Sequence, residues 1–150
     1  MFSLEEIVAA TKAKVIKKEN INNISISTDT RTIREGQIYL PLKGENFDGE
    51  DFIPKAIENG ALGYFTTRDY ILENAKIVLQ VSDTLRAYLD LAKYYKNKIN
   101  PITIAITGSS GKTTTKEMMY SVMKEAFITH KPSKILITKS DFVKQYFQCR

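Results

Sequence analysis

Apolar residues recur at two spacings along the chain, and the switches between them outline its elements. Ser3 and Glu6 have the spacing of a helix-capping pair, and Leu4, Ile7 and Val8 follow at helical intervals, so the chain opens on a short helix. Ile24-Ser25-Ile26-Ser27 alternates apolar and polar positions as a half-buried strand does. Gln37-Ile38-Tyr39-Leu40-Pro41-Leu42, punctuated by Gly36 and Gly44, reads as a more deeply buried strand. A second helix is expected over 51–59, with Phe52, Ile53, Ala56 and Ile57 on one face, Pro54 in the first turn and Gly60 past the end. Tyr64-Phe65-Thr66 and Ile77-Val78-Leu79-Gln80-Val81 are expected strands. Leu85, Tyr88, Leu89, Ala92 and Tyr95 then place a longer helix over 83–98.

Asn97-Lys98-Ile99-Asn100-Pro101 is the most linker-like stretch, and a domain boundary is placed there, dividing 1–98 from 99–150. Beyond it, Ile102-Thr103-Ile104-Ala105-Ile106-Thr107 is a β-branched apolar run suited to a buried parallel strand. A glycine turn follows, then a helix over 112–125 with Met118, Met119, Val122 and Met123 along one side. Phe127-Ile128-Thr129 is a candidate start for a further strand. Strands alternating with helices predict an α/β fold.

With 43% hydrophobic and 26% charged side chains in 150 residues, the composition is that of a globular protein, and no apolar run approaches the length of a membrane span. The acids Glu5 and Glu6 stand where a secretory leader needs basic residues, so a cytoplasmic location is expected. Cys149 is the only cysteine and has no internal disulfide partner. The net charge of +5 does not make a nucleic-acid binder, because the lysines are dispersed and often adjoin acids, as at Lys17-Lys18-Glu19 and Lys116-Glu117. An anionic small molecule accounts for the charge, and so do solvated lysines. His130, the only histidine, has no neighbouring nucleophile or ligand cluster.

The chemistry is concentrated in Gly108-Ser109-Ser110-Gly111-Lys112-Thr113-Thr114, between the expected strand and helix. Glycines let the backbone turn tightly, so that consecutive amides and the positive helix end face a phosphate. Lys112 would reach the terminal phosphates of ATP, Thr113 holds the position of a magnesium-ligating hydroxyl, and Thr114 adds another hydroxyl or a backbone contact. Ile106 stands where the common eight-residue phosphate-loop pattern begins with glycine, so only the closing Gly-Lys-Thr fits that pattern. A glycine turn bearing a surface lysine is the bland alternative.

The run Ile106-Thr107-Gly108-Ser109-Ser110-Gly111-Lys112-Thr113-Thr114-Thr115-Lys116-Glu117-Met118 resembles the ATP loop of the Mur ligases. Ser27-Thr28-Asp29-Thr30-Arg31, Gly36 to Gly44, Phe47-Asp48-Gly49, Ala56 and Gly60-Ala61 resemble that family's first domain. Within the family, Ser109-Ser110 is similar to the branch that adds D-alanyl-D-alanine to UDP-N-acetylmuramoyl-tripeptide in peptidoglycan synthesis. The resemblance implies a small substrate domain that holds the UDP-sugar, followed by a phosphate-loop ATPase domain using ATP and Mg2+. It also implies a ligase that activates a carboxylate as an acyl phosphate for attack by an amine. Arg31 and Lys43 are then candidate diphosphate partners, and Thr28, Asp29 and Thr30 candidate hydrogen-bonding groups for uridine or sugar. Asp29 and its threonines fit a turn equally well. An unrelated kinase or GTPase loop would leave the first domain unexplained, whereas a binding remnant without turnover would not.

The resemblance is traced to about residue 130. The family's asparagine-rich continuation, its magnesium-holding acids and its amine-substrate domain are not found beyond that point. With one choice of codons, Lys134-Ile135-Leu136-Ile137-Thr138-Lys139-Ser140-Asp141-Phe142 read in a shifted frame gives Asn-Phe-Asn-Asn-Glu-Ile-Gly-Phe. That is the expected continuation, so a frameshift near Pro132-Ser133 is the sequence hypothesis for the tail. An isolated strand, loop and helix cannot bury a parallel strand on both faces. The chain alone is therefore expected to fold over 1–98, to hold the remainder loosely or pack it against the first domain or another copy, and not to complete the reaction.

Overall fold

The computed structural model describes residues 1–21, 23–44 and 47–132. The tail that carries the frameshift hypothesis, and Cys149 within it, lie outside the described residues. The chain divides into two compact units, Met1–Tyr94 and Tyr95–Arg150.

The first unit is a mixed α/β sheet domain. Helix α1 (Leu4–Thr11) begins at the expected capping pair: the Ser3 hydroxyl accepts from the Glu6 amide, and the Glu6 carboxylate accepts from the Ser3 amide. It ends at Lys12, which takes the left-handed conformation that closes helices. Five short strands follow in the chain: β1 (Lys14–Lys17), β2 (Ser25–Ser27), β3 (Gln37–Tyr39), β4 (Gly63–Thr66) and β5 (Ile77–Gln80). Their spatial order is β1-β5-β4-β3-β2; β2 to β5 are parallel, and β1 runs antiparallel along β5.

All four residues of the central strand β4 are buried, as a parallel strand covered on both faces requires. Tyr39, Tyr64 and Val78 cluster on one face with Ile53 and Ala56 of helix α2 (Ile53–Glu58). Ile38, Phe65, Ile77 and Leu79 alternate with them and are fully buried too, as are Ile7 of α1 and Leu91 of helix α3 (Thr84–Ile99). The Tyr94 hydroxyl donates to Glu6 at 3.2 Å, and its ring lies 6.5 Å from that of Phe2, which ties α3 to the amino-terminal segment. Gly63 is required by packing, because a Cβ there would stand 1.9 Å from the Ile77 carbonyl oxygen.

The structure departs from several of the expected elements. Strand β1 was not foreseen: Val15 and Ile16 sit between lysines in an edge strand whose pairing shifts register, so no alternation marks it. The helix expected from residue 51 starts later, since Gly49–Phe52 forms a 3-10 turn capped by Asp48, and Phe52 is exposed. On α3, Leu85 is exposed, while Thr84, Ala87 and Tyr88 face inward. Ile24 forms an isolated bridge to Phe2 rather than a place in β2.

In the second unit the run 102–107 forms no strand: Ile102 is 87% and Ile104 50% exposed. The described residues give it no neighbouring strand, and a lone extended segment has nothing to bond or bury against. Helix α4 (Lys112–Met123) forms where expected but buries no residue, leaving Met118 and Val122 in solvent. Residues 127–129 form no strand either, and Ile128 is almost wholly exposed. No helix among the described residues is long and apolar enough to cross a membrane.

Candidate functional site

The phosphate loop is built at the start of α4. Gly111 adopts φ 74°, a left-handed conformation open to glycine, and turns the chain into the helix. No side chain caps this end, and the first turn carries no acid. The first intrahelical backbone bond runs from the Thr115 amide to the Gly111 carbonyl at 2.9 Å, so the amides of Lys112, Thr113 and Thr114 have no carbonyl within the helix to bond. Those amides and the helix dipole favour an anion. Ser109, Ser110, Thr113 and Thr114 are all exposed around them, and the Lys112 ammonium donates to the Gly108 carbonyl. The loop residues expected to bind ATP are thus contiguous around one helix end. Further along α4, Glu117 pairs with Lys131, which also lies 4.3 Å from the centre of the Tyr120 ring. His130 has no role in this arrangement, and no group of three His, Cys, Asp or Glu among the described residues is placed to hold a metal.

The second set of expected residues lies in the other unit, just past the carboxyl ends of parallel strands, where open α/β sheets bind ligands. Thr28, Asp29, Thr30 and Arg31 follow β2, and Lys43 follows β3. Asp29 does form a turn: its carboxylate accepts from the Arg31 amide at 3.0 Å. The same carboxylate holds the Arg31 guanidinium through two bonds, at 3.0 and 2.7 Å, and leaves it solvent-exposed. The Asn59 amide donates to the Thr30 carbonyl and secures the far side of this turn.

Lys43 is held by a different partner from Arg31. It bridges backbone to backbone with Asp48, whose carboxyl is held below its ordinary range by the bond from the Glu50 amide first, then by the bond and charge of Arg68, and least by the charge of Lys43. The two strand ends meet at Tyr39. Burial pushes that phenol up to about 12, aided by the negative charges of Asp29 and Asp48, and its hydroxyl donates to the Gly49 carbonyl.

Sequence reasoning missed a cluster beside Lys43. Arg68, just past β4, donates to Asp51 at 2.9 Å and Asp48 at 3.0 Å and stands 3.7 Å from Glu50. Glu50 is buried and accepts from the Thr66 hydroxyl, the Thr67 amide and the Thr67 hydroxyl at 2.7 to 2.9 Å. The available signal was Thr66-Thr67-Arg68, hydroxyls then arginine at the end of a strand, which is similar to the run Thr28 to Arg31 past β2. An open groove of about 850 Å³ at the opposite, amino-terminal edge of β4 and β5, lined by Pro54, Ile57, Leu62 and Leu72 among others, contains none of the predicted residues.

Family models match both units. The model described as "Mur ligase family, catalytic domain" matches residues 21–99, more than half of the chain, and "Mur ligase middle domain" matches residues 106–145. This chain belongs to the Mur ligase family. The middle-domain match runs past residue 130, beyond the motifs that carry the resemblance in the sequence. The UDP-N-acetylmuramoyl-tripeptide–D-alanyl-D-alanine ligase of Haemophilus influenzae is 40% identical over 125 residues, covering 81% of this chain and 26% of that protein. MurF of Acinetobacter baumannii superimposes with a TM-score of 0.88 at 30% identity, over 99% of this chain and 33% of that one. MurF ligase of Thermotoga maritima, solved in complex with ADP, gives a TM-score of 0.70 at 28% identity, over 82% of this chain and 28% of that one. The Mur ligase chain described here thus spans about a quarter to a third of the relatives it matches.

Proposed function

We propose that this Mur ligase chain carries the UDP-N-acetylmuramoyl-tripeptide-binding part and the ATP-phosphate loop of an amide ligase that adds D-alanyl-D-alanine in peptidoglycan synthesis. The observation that carries the reading is the pairing, in one chain, of a bare helix N-terminus at Gly111-Lys112 with polar turns beyond the carboxyl ends of a parallel sheet. The names of its relatives, and the ADP complex of one of them, support the substrates and the nucleotide.

At the loop, the amides of Lys112, Thr113 and Thr114 would surround the nucleotide's phosphates while Lys112 neutralises their charge. Exposed Thr113 offers one neutral oxygen, a hard donor that suits magnesium already bound to phosphate oxygens. When bound, that ion would supply charge neutralisation at the phosphates. At the sheet edge, Arg31 and Lys43 would meet the diphosphate, and Thr28, Asp29 and Thr30 the uridine or sugar.

Binding without turnover is the reading for this chain by itself. It is favoured by the solvent-exposed α4 and the 102–107 run, which among the described residues have no core around them to position two reactants. The test is to supply ATP, the UDP-muramoyl-tripeptide and D-alanyl-D-alanine together and follow phosphate release alongside ligand binding. Saturable binding of the tripeptide nucleotide with no phosphate released is expected. Phosphate release coupled to amide formation would overturn the no-turnover reading, and absence of binding would overturn the substrate assignment.

A further inference from the structure

Arg68 and buried Glu50 sit outside every residue set assigned above, yet they join the end of β4 to the segment that presents Lys43. Asp48 is the link. Its backbone bridges Lys43, one carboxylate oxygen accepts from the Glu50 amide at 2.9 Å, and the other accepts from Arg68 at 3.0 Å. Gly49 is pressed against Leu42, with room for no Cβ, because that atom would stand 2.5 Å from the Leu42 carbonyl oxygen. Glu50, anchored by Thr66 and Thr67, holds the 3-10 turn to β4 from the buried side, while Arg68 clamps it from the exposed side through Asp48 and Asp51. The Arg68 guanidinium is thus already engaged by three carboxylates, which suits a strap better than a ligand contact.

We infer that Arg68 and Glu50 are positioning residues for the UDP-sugar ligand, acting through the Asp48 link to fix Lys43 past the carboxyl end of β3. This rests on the reading of Met1–Tyr94 as the UDP-sugar unit. Released from the strap, Lys43 would sample many positions, and ordering it would be charged to each binding event.

The experiment is a double-mutant cycle on the whole chain, titrating UDP-N-acetylmuramoyl-tripeptide into wild type, Arg68→Ala, Lys43→Ala and the double variant. Arg68→Ala should weaken binding about tenfold alone and less than about twofold when Lys43 is already alanine, because coupled residues are not additive. A merely structural role would cost the same in both backgrounds. Arg68→Lys, which keeps the charge and loses the fork, gives the same comparison if the alanine variant does not fold. Equal losses in both backgrounds, or no loss from Arg68 substitution in a wild-type background that binds, would overturn this inference alone. Failure of the wild-type chain to bind would overturn the UDP-sugar reading and this inference with it.

Discussion

The Lys112 ammonium bonds to the carbonyl of Gly108, the residue that opens its own loop, so the cation expected to meet phosphate is held at the loop by a neutral oxygen. Phosphate is the stronger acceptor, because charge-assisted bonds exceed those to neutral carbonyls. Nucleotide should therefore draw Lys112 away from Gly108. Lys112→Ala should lower the affinity for Mg-ATP by roughly ten- to a hundredfold, the span of one bond to a charged group. Fluorescent-nucleotide titration checks this; unchanged affinity in a folded variant would remove Lys112 from the site.

Tyr39 gives the fold an alkaline signature. Its phenol ionises near pH 12 in the folded chain, against an ordinary value of 10.0, with burial as the first cause and the charges of Asp29 and Asp48 behind it. The folded state then keeps a proton that the unfolded state has lost, so the contribution is complete below pH 10 and falls away as pH rises towards 12. Tyr39→Phe should flatten this part of the stability profile, as read from urea midpoints across the window. An identical alkaline slope in the variant would assign it to other groups.

Gly63 tests the packing of the sheet. A Cβ placed 1.9 Å from the Ile77 carbonyl oxygen meets backbone on the neighbouring strand, which cannot rotate aside as a side chain can. Gly63→Ala should destabilise the first unit by about 3 kcal/mol, at the upper end for overpacking a core. Thermal or denaturant unfolding measures it, and a loss near zero would contradict the β4–β5 register.

What the sequence disclosed, and what it concealed, follows from how local each signal is. The capping pair Ser3 and Glu6 is a contiguous device, and α1 begins where it stands. The phosphate loop is likewise one uninterrupted run, so its residues fall together around a single helix end. Strand β1 was not legible because its short apolar pair, Val15 and Ile16, becomes a strand through pairing with β5 far along the chain. The run 102–107 reads as a strand by composition, but a strand is a relation between segments, and the described residues supply no partner. The Arg68 cluster was hidden for the same reason, since the acids that accept from Arg68, Asp51 and Asp48, lie 17 and 20 positions away and meet it only when β4 passes the 3-10 turn.

The carboxyl edge of the sheet in Met1–Tyr94 is the proposed seat of a UDP-sugar-peptide. Calorimetric titration of the chain with UDP-N-acetylmuramoyl-tripeptide, alongside a separate Mg-ATP titration, tests it most directly. Saturable binding of the tripeptide nucleotide at one site per chain is expected, lost or strongly weakened in Arg31→Ala, whatever the result with Mg-ATP. No heat of binding from the tripeptide nucleotide with a folded chain would contradict it.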